Sequence, residues 1–209
     1  MWWDNQSDIR KEEVKQLVKS GQLELINGGV SSSDEACPYY QDLIENIMSG
    51  HKFINEHFGV QPRIGWNIDP FGHSNTNAAL FDLFGFDAVF YARVDYQEKE
   101  ERKKNKTLEY VHRPVWHAKN EKHNDVDVPA NRQIFTHILY DHYRSPDGFC
   151  FDTLCRPKKT WVNDGLSSRF NADRMAARMI KEIEKRASVY RTKDILMLFG
   201  DDFRYMDAQ

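Results

Sequence analysis

Between Ser7 and Arg93 the apolar residues switch repeatedly between helical and strand periods, and this alternation confines the chain to few architectures. Ile9, Val14, Leu17 and Val18 share one face of a helix predicted over 7–20, with Gly21 as its stop. Leu23-Glu24-Leu25-Ile26 alternates like a strand and closes in the turn Asn27-Gly28-Gly29. Ser33 or Asp34 can cap a long helix that reaches Phe58, with Gly50 as a bend and Gly59 as its end. Residues 63–68 read as a strand broken at Asp69-Pro70, residues 74–84 as a helix ended by Gly85, and residues 88–93 as a strand. Helix, strand, helix, strand, helix, strand is the order of crossover units feeding a parallel sheet, so the predicted class is α/β.

The regularity lapses over 98–132. The run Glu98-Lys99-Glu100-Glu101-Arg102-Lys103-Lys104-Asn105-Lys106 and the later Lys119-Asn120-Glu121-Lys122-His123-Asn124-Asp125 mix charge without an apolar period. Such a polar insert is a solvated helix face or a surface loop. The pattern resumes with a strand over 134–139, a helix over 173–188 and a strand over 195–199. A length of 209 residues suits one domain or a piece of a larger one.

Charge excludes some functions. With 29 Lys plus Arg against 32 Asp plus Glu, the net is −3, which offers no bulk attraction for a nucleic acid or an anionic membrane. No apolar run approaches a membrane span, and Met1-Trp2-Trp3-Asp4 has neither the basic start nor the apolar stretch of a signal peptide. Of the 3 cysteines, Cys150 and Cys155 lie five apart, unlike a zinc knuckle. They read equally well as a short disulfide or as two buried thiols, and Cys37 has no evident mate. The sequons Asn5-Gln6-Ser7 and Asn105-Lys106-Thr107 lean towards a secretory route.

Three predicted strands end in residues able to do chemistry: Asp69 after Ile68, Arg93 after Ala92, and Asp201-Asp202 after Gly200. In parallel α/β folds the carboxyl ends of strands share one face, where sites are built. A single Asp after a strand is usually a turn former or a helix cap. Two carboxylates flanking a glycosidic bond are different, because one can attack while the other donates a proton, with retention when they lie about 5–5.5 Å apart. Asp69 with Asp201 or Asp202 could form such a pair. Neighbours on an extended strand point oppositely, so only one of the two faces a given ligand. Phe71, just past a strand end, offers an apolar face to a sugar ring; Trp66, Tyr91 and Tyr140 read first as core aromatics. His73 reads as a capping or packing residue.

The motifs Gly21-Gln22-Leu23-Glu24-Leu25-Ile26-Asn27-Gly28-Gly29, Asp34-Glu35-Ala36, Gly65-Trp66-Asn67-Ile68-Asp69-Pro70-Phe71-Gly72-His73-Ser74, Arg93-Val94-Asp95-Tyr96-Gln97 and Gly200-Asp201-Asp202-Phe203-Arg204-Tyr205 occur in this order. Together they resemble the catalytic domain of the α-mannosidases of glycoside hydrolase family 38, the lysosomal type above all. The resemblance implies a retaining enzyme that removes terminal α-linked mannose from N-glycan-derived oligosaccharides, on an irregular parallel β/α barrel of seven-stranded type, with one zinc ion. By motif, Asp69 is the nucleophile and a zinc ligand, and Asp202 is the general acid and base. Arg93 and Phe71 line the mannose site, and Tyr140 and Asp141 contact sugar hydroxyls. The resemblance also implies a disulfide between Cys150 and Cys155, and residence in the lysosome.

The same resemblance implies further zinc ligands that this sequence lacks: a His and an Asp from a His-Asn-Asp-Pro-Gly-Trp-like segment, and a His from a His-His-Asp-Ala-like segment. His123-Asn124-Asp125 matches part of the first in letters only, with Val126 in place of its proline. One carboxylate does not hold zinc tightly where four protein ligands are expected. The expectation is therefore a partial catalytic domain over 1–209, an internal piece with an incomplete zinc site and an incomplete barrel, weakly active or inactive alone. The alternative is a catalytically dead sugar-binding or structural remnant; a metal-dependent deacetylase on a similar barrel ranks well behind. Homo-oligomerisation stays open.

Overall fold

The structure is a computed structural model that describes residues 2–114, 133–155 and 161–205. His123-Asn124-Asp125 and the end of the polar insert lie outside the described residues. The elements are α1 (Asp8–Lys19), α2 (Tyr40–Phe58), β1 (Ile64–Trp66), α3 (Asn75–Leu83), β2 (Ala88–Tyr91), α4 (Tyr96–Asn105), β3 (Glu109–His112), β4 (Ile134–Ile138) and α5 (Ala172–Ala187). The strands follow the order β1-β2-β4-β3. β1 pairs parallel with β2 in the register Ile64 to Ala88 and Trp66 to Phe90. That makes β1-α3-β2 the crossover unit predicted from the sequence. The chain divides into two compact units, one of Met1–Tyr91 with Val111–His137, the other of Ala92–Tyr110 with Ile138–Gln209.

In the first unit the core is Phe81, Phe86, Val89, Tyr91 and Ile134, with Phe84 packed against them. α3 supplies Phe81 from its buried face, and Ser74 caps the helix by accepting a hydrogen bond from the Thr76 N–H. α2 ends where Gly59 turns left-handed at φ 66°. In the second unit Leu108, Ile138 and Tyr190 form the core, joined by Val94, Tyr110, Tyr140, Val189 and Ile195. The buried Tyr190 hydroxyl donates to the Ile138 carbonyl at 3.0 Å. α4 buries none of its residues. Its cap Asp95 accepts from the Gln97 and Glu98 N–H groups, and Glu98 pairs with Arg102 one turn on.

Several expectations need correction. Residues 23–26 are not a strand: Leu23 and Ile26 are exposed, and only Asn27 reaches β1, donating to Ile64 O at 2.7 Å and accepting from Trp66 N on its side chain. One residue of pairing makes no ladder. The long helix begins at Tyr40, not near Asp34. Pro38 disfavours helical backbone at Cys37, and Asp34 closes a local turn on the Ala36 N–H. α2 runs unbroken through Gly50, so that glycine does not interrupt the helix. The charge run forms α4, which agrees with the solvated helix face expected, but the polar stretch also holds a strand, β3, that its charge conceals. Residues 195–199 form no strand, and the main chain just past them is tied at Gly200 to Ser145. The sheet is small, and no closed seven-stranded barrel is present among the described residues.

Candidate active site

In the first unit, the loop after β1 carries Asp69 and Phe71. Asp69 is half-buried, whereas Phe71 is 74% exposed and turns its ring outward. The loop is pinned at both ends by a residue from far upstream. The Glu35 carboxylate, only 1% exposed, accepts from Asn67 Nδ2 at 2.6 Å and from the Ser74 N–H at 2.5 Å. His73 Nδ1 lies 3.7 Å from the same carboxylate, and its ring packs edge-on against Tyr91 at 4.7 Å. The packing role read for His73 from the sequence agrees with that contact.

The second unit carries Arg93, Tyr140, Asp141, Asp202 and the two cysteines. Arg93 is exposed, between the end of β2 and the cap of α4. Lys99, on α4, donates to the carbonyls of Ala92 at 2.7 Å and Asp141 at 2.5 Å, tying the residue before Arg93 to Asp141. Burial, with help from nearby Lys103, pulls the Lys99 ammonium down to about 8. Burial works against ionising Asp141, but the Arg144 guanidinium at 2.8 Å, with Lys99 and Lys103, holds its carboxyl below the usual range. Tyr140 is half-buried, with Lys103, Arg186 and Lys185 facing its ring at 4.6, 5.0 and 5.3 Å.

Asp201 and Asp202 divide their tasks, although no paired strand precedes them. Asp201 accepts from the Asp202 N–H at 2.9 Å and lies 3.6 Å from Arg204. Asp202 is exposed, and the Tyr143 hydroxyl donates to its Oδ1 at 3.2 Å. The turn around it is strained, because Phe203 and Tyr205 both hold left-handed backbone, at φ 55° and 60°, which bulky residues avoid. Its far end is anchored by Asp152, whose Oδ2 accepts from the Tyr205 N–H at 2.6 Å and whose Oδ1 accepts from Leu154. Those two N–H groups lower the Asp152 carboxyl from its ordinary value.

Asp152 sits inside the loop closed by the Cys150–Cys155 disulfide, whose Cα atoms are 5.8 Å apart. The disulfide implied by the resemblance is thus present, and Cys37 is free and exposed. A cleft of about 350 Å³ opens between this loop and the turn, lined by Arg144, Asp147, Cys150, Asp201 and Arg204 among others. Asp201 is on its wall, while Arg93, Tyr140, Asp141 and Asp202 are not among the residues that line it. Glu35, Lys99, Tyr143 and Asp152 escaped the sequence reading because their partners lie far away along the chain.

Zinc finds little support in these residues. Among the described residues no group of three or more His, Cys, Asp or Glu side chains is placed to hold a metal ion. Asp69 alone does not fit a four-ligand site.

Comparison with known proteins accounts for these motifs. The model of the glycosyl hydrolases family 38 N-terminal domain matches residues 1–209. The lysosomal alpha-mannosidase of Dictyostelium discoideum is 43% identical over 208 residues, covering 100% of this chain and 19% of that protein. An alpha-mannosidase of Arabidopsis thaliana is 40% identical over 99% of this chain and 19% of its own length. The lysosomal alpha-mannosidase of Bos taurus is 38% identical over 99% of this chain and 20% of its own length. The chain thus spans about a fifth of the length of these relatives. With a family match from its first residue to its last, the chain belongs to glycosyl hydrolase family 38, within the N-terminal domain.

Proposed function

We propose that the chain is part of the catalytic domain of a retaining α-mannosidase and supplies both reacting carboxylates. The observation that carries the reading is the family match over all 209 residues, with relatives named alpha-mannosidases. Asp69 attacks the anomeric carbon of a terminal α-linked mannose, forming a glycosyl ester as the glycosidic bond breaks. Asp202 gives its proton to the departing oxygen. It then takes a proton from the water that cleaves the ester, returning Asp69 as a carboxylate. The Tyr143 hydroxyl fixes the rotamer of Asp202 for both transfers. Arg93 favours the ionised nucleophile, Phe71 stacks on the sugar, and Asp141 and Tyr140 receive its hydroxyls.

The substrate class is a mannose-containing oligosaccharide, and the lysosome is the proposed compartment, after the relatives' names. Zinc is the metal that the family resemblance implies. The described residues bring no set of three or more ligating side chains together for it, and no step above is routed through it.

The test replaces the matching fifth of the Dictyostelium enzyme with this chain and follows 4-nitrophenyl α-mannoside hydrolysis by NMR. Release of α-mannose first is expected, with weak or no turnover by the 209 residues alone. Mannose binding without hydrolysis in the chimaera would overturn the reading in favour of a sugar-binding remnant. First release of β-mannose would refute retention, and robust turnover by the isolated chain would refute its dependence on flanking sequence.

A further inference from the structure

We propose that Glu35 is a positioning residue for the nucleophile, holding the Asp69 loop by accepting one hydrogen bond at each of its ends. This rests on the reading of Asp69 as the nucleophile. Glu35 is a carboxylate with almost no solvent contact, and nothing in the reaction scheme uses its charge. A buried carboxylate is costly unless its oxygens are occupied by donors. Here each oxygen has a different one: Oε1 takes Asn67 Nδ2, two residues before Asp69, and Oε2 takes the main-chain N–H of Ser74, five residues after it. Asn67 is itself buried, at 3% exposure, and Ser74 caps α3, so both donors are fixed to regular structure. The loop between them is spanned by one rigid carboxylate supplied from 32 and 39 residues upstream.

That geometry makes the charge, and not only the shape, necessary. Both partners are N–H donors, so residue 35 must present two acceptors. Glu35→Gln has the same shape but aims an amide N–H at one of them, leaving two donors face to face. Asn67→Asp fails in the opposite sense, setting two buried carboxylates against each other. Combining them restores the set: the Gln amide at position 35 donates to the carboxylate at position 67, while its oxygen accepts from Ser74. A residue that merely filled space would show no such reciprocity.

The first measurement is hydrogen exchange on the chain itself, which reads local opening and needs no activity. In Glu35→Gln, exchange over residues 67–74 is expected to be at least about tenfold faster than in the parent, with β2 unchanged; the double variant is expected within about threefold of the parent. Unchanged exchange over 67–74, equal acceleration in β2, or a double variant no better than Glu35→Gln would overturn the proposal. The second measurement is kinetic, in the active chimaera. Misplacing a nucleophile acts on the chemical step, so kcat should fall about 100-fold with KM within about threefold, and the double variant should recover at least about tenfold. Parental kcat in Glu35→Gln would overturn the proposal. A parent chimaera without hydrolysis would instead sink the assignment of Asp69 as nucleophile, while the exchange result would still judge the clamp.

Discussion

Gly50 offers the sharpest test of how the first unit is assembled. It lies in the middle of α2, where alanine ordinarily stabilises a helix by about 1 kcal/mol over glycine. The turn Asn27-Gly28-Gly29 presses against this point, and the chain beyond it runs along the helix: Val30 N donates to Asn46 O, and Ser31 exchanges two hydrogen bonds with the Asn46 amide. A Cβ on Gly50 would overlap the Gly28 carbonyl oxygen and lie 2.9 and 3.0 Å from the carbonyl carbons of Gly28 and Gly29. Carbon atoms settle at about 3.5–4.0 Å and the overlapped oxygen is nearer still, so the two backbones would have to part by more than about 1 Å. Neither side is a flexible side chain. Overpacking costs about 1–3 kcal/mol, and more where backbone must shift, which outweighs the helical gain by about 2 kcal/mol. For a chain of this length that lowers Tm by about 4–8 °C. Thermal melts of Gly50→Ala followed by far-UV circular dichroism measure it. Gly165→Ala, with nothing within 4 Å of the new Cβ, serves as a control expected to be near neutral. A Gly50→Ala Tm equal to or above the parent's would refute the close approach.

Two further predictions concern the second unit. Replacing Cys150 and Cys155 with Ala frees a loop whose ends are five residues apart, and chain entropy puts the loss at about 2 kcal/mol in denaturant unfolding; an unchanged midpoint with unchanged slope would contradict it. Lys99 is pulled down to about 8 by burial, below its free value of 10.5, so its charge costs stability in the fold. That cost is fully present below pH 8 and is relieved as pH rises from 8 to 10.5. The stability of the parent relative to Lys99→Met, from urea midpoints, should therefore rise across that window, and a flat or falling difference would exclude the shift.

The sequence made the helices of the fold legible wherever amphipathic period and end signals coincide. α1, α3 and α5 begin and end within one residue of expectation; Gly21, Ser74 and Gly85 mark the ends of the first two by local chemistry, whereas α5 has no side-chain cap at its start. Strands were read less well, since a strand exists only through its partner. Leu23-Glu24-Leu25-Ile26 and residues 195–199 have the pattern but not the neighbours, whereas β3 has a neighbour under an unpromising charge run. The candidate site divides in the same way. The proposed residues Asp69, Arg93 and Asp202 stand in local motifs at chain turns. Glu35, Tyr143 and Asp152 reach those turns over separations of 32 to 59 residues that no local pattern encodes, and Lys99 joins Ala92, seven residues away, to Asp141, 42 residues away.

The role of Asp69 can be read directly from the covalent intermediate. A fluorinated mannosyl fluoride slows breakdown of the glycosyl ester, so brief incubation with the active chimaera followed by peptide mapping shows which carboxylate has been captured. The account predicts the added sugar mass on the peptide containing Asp69, absent from Asp69→Asn. The mass on another carboxylate, or turnover that persists in Asp69→Asn, would contradict it.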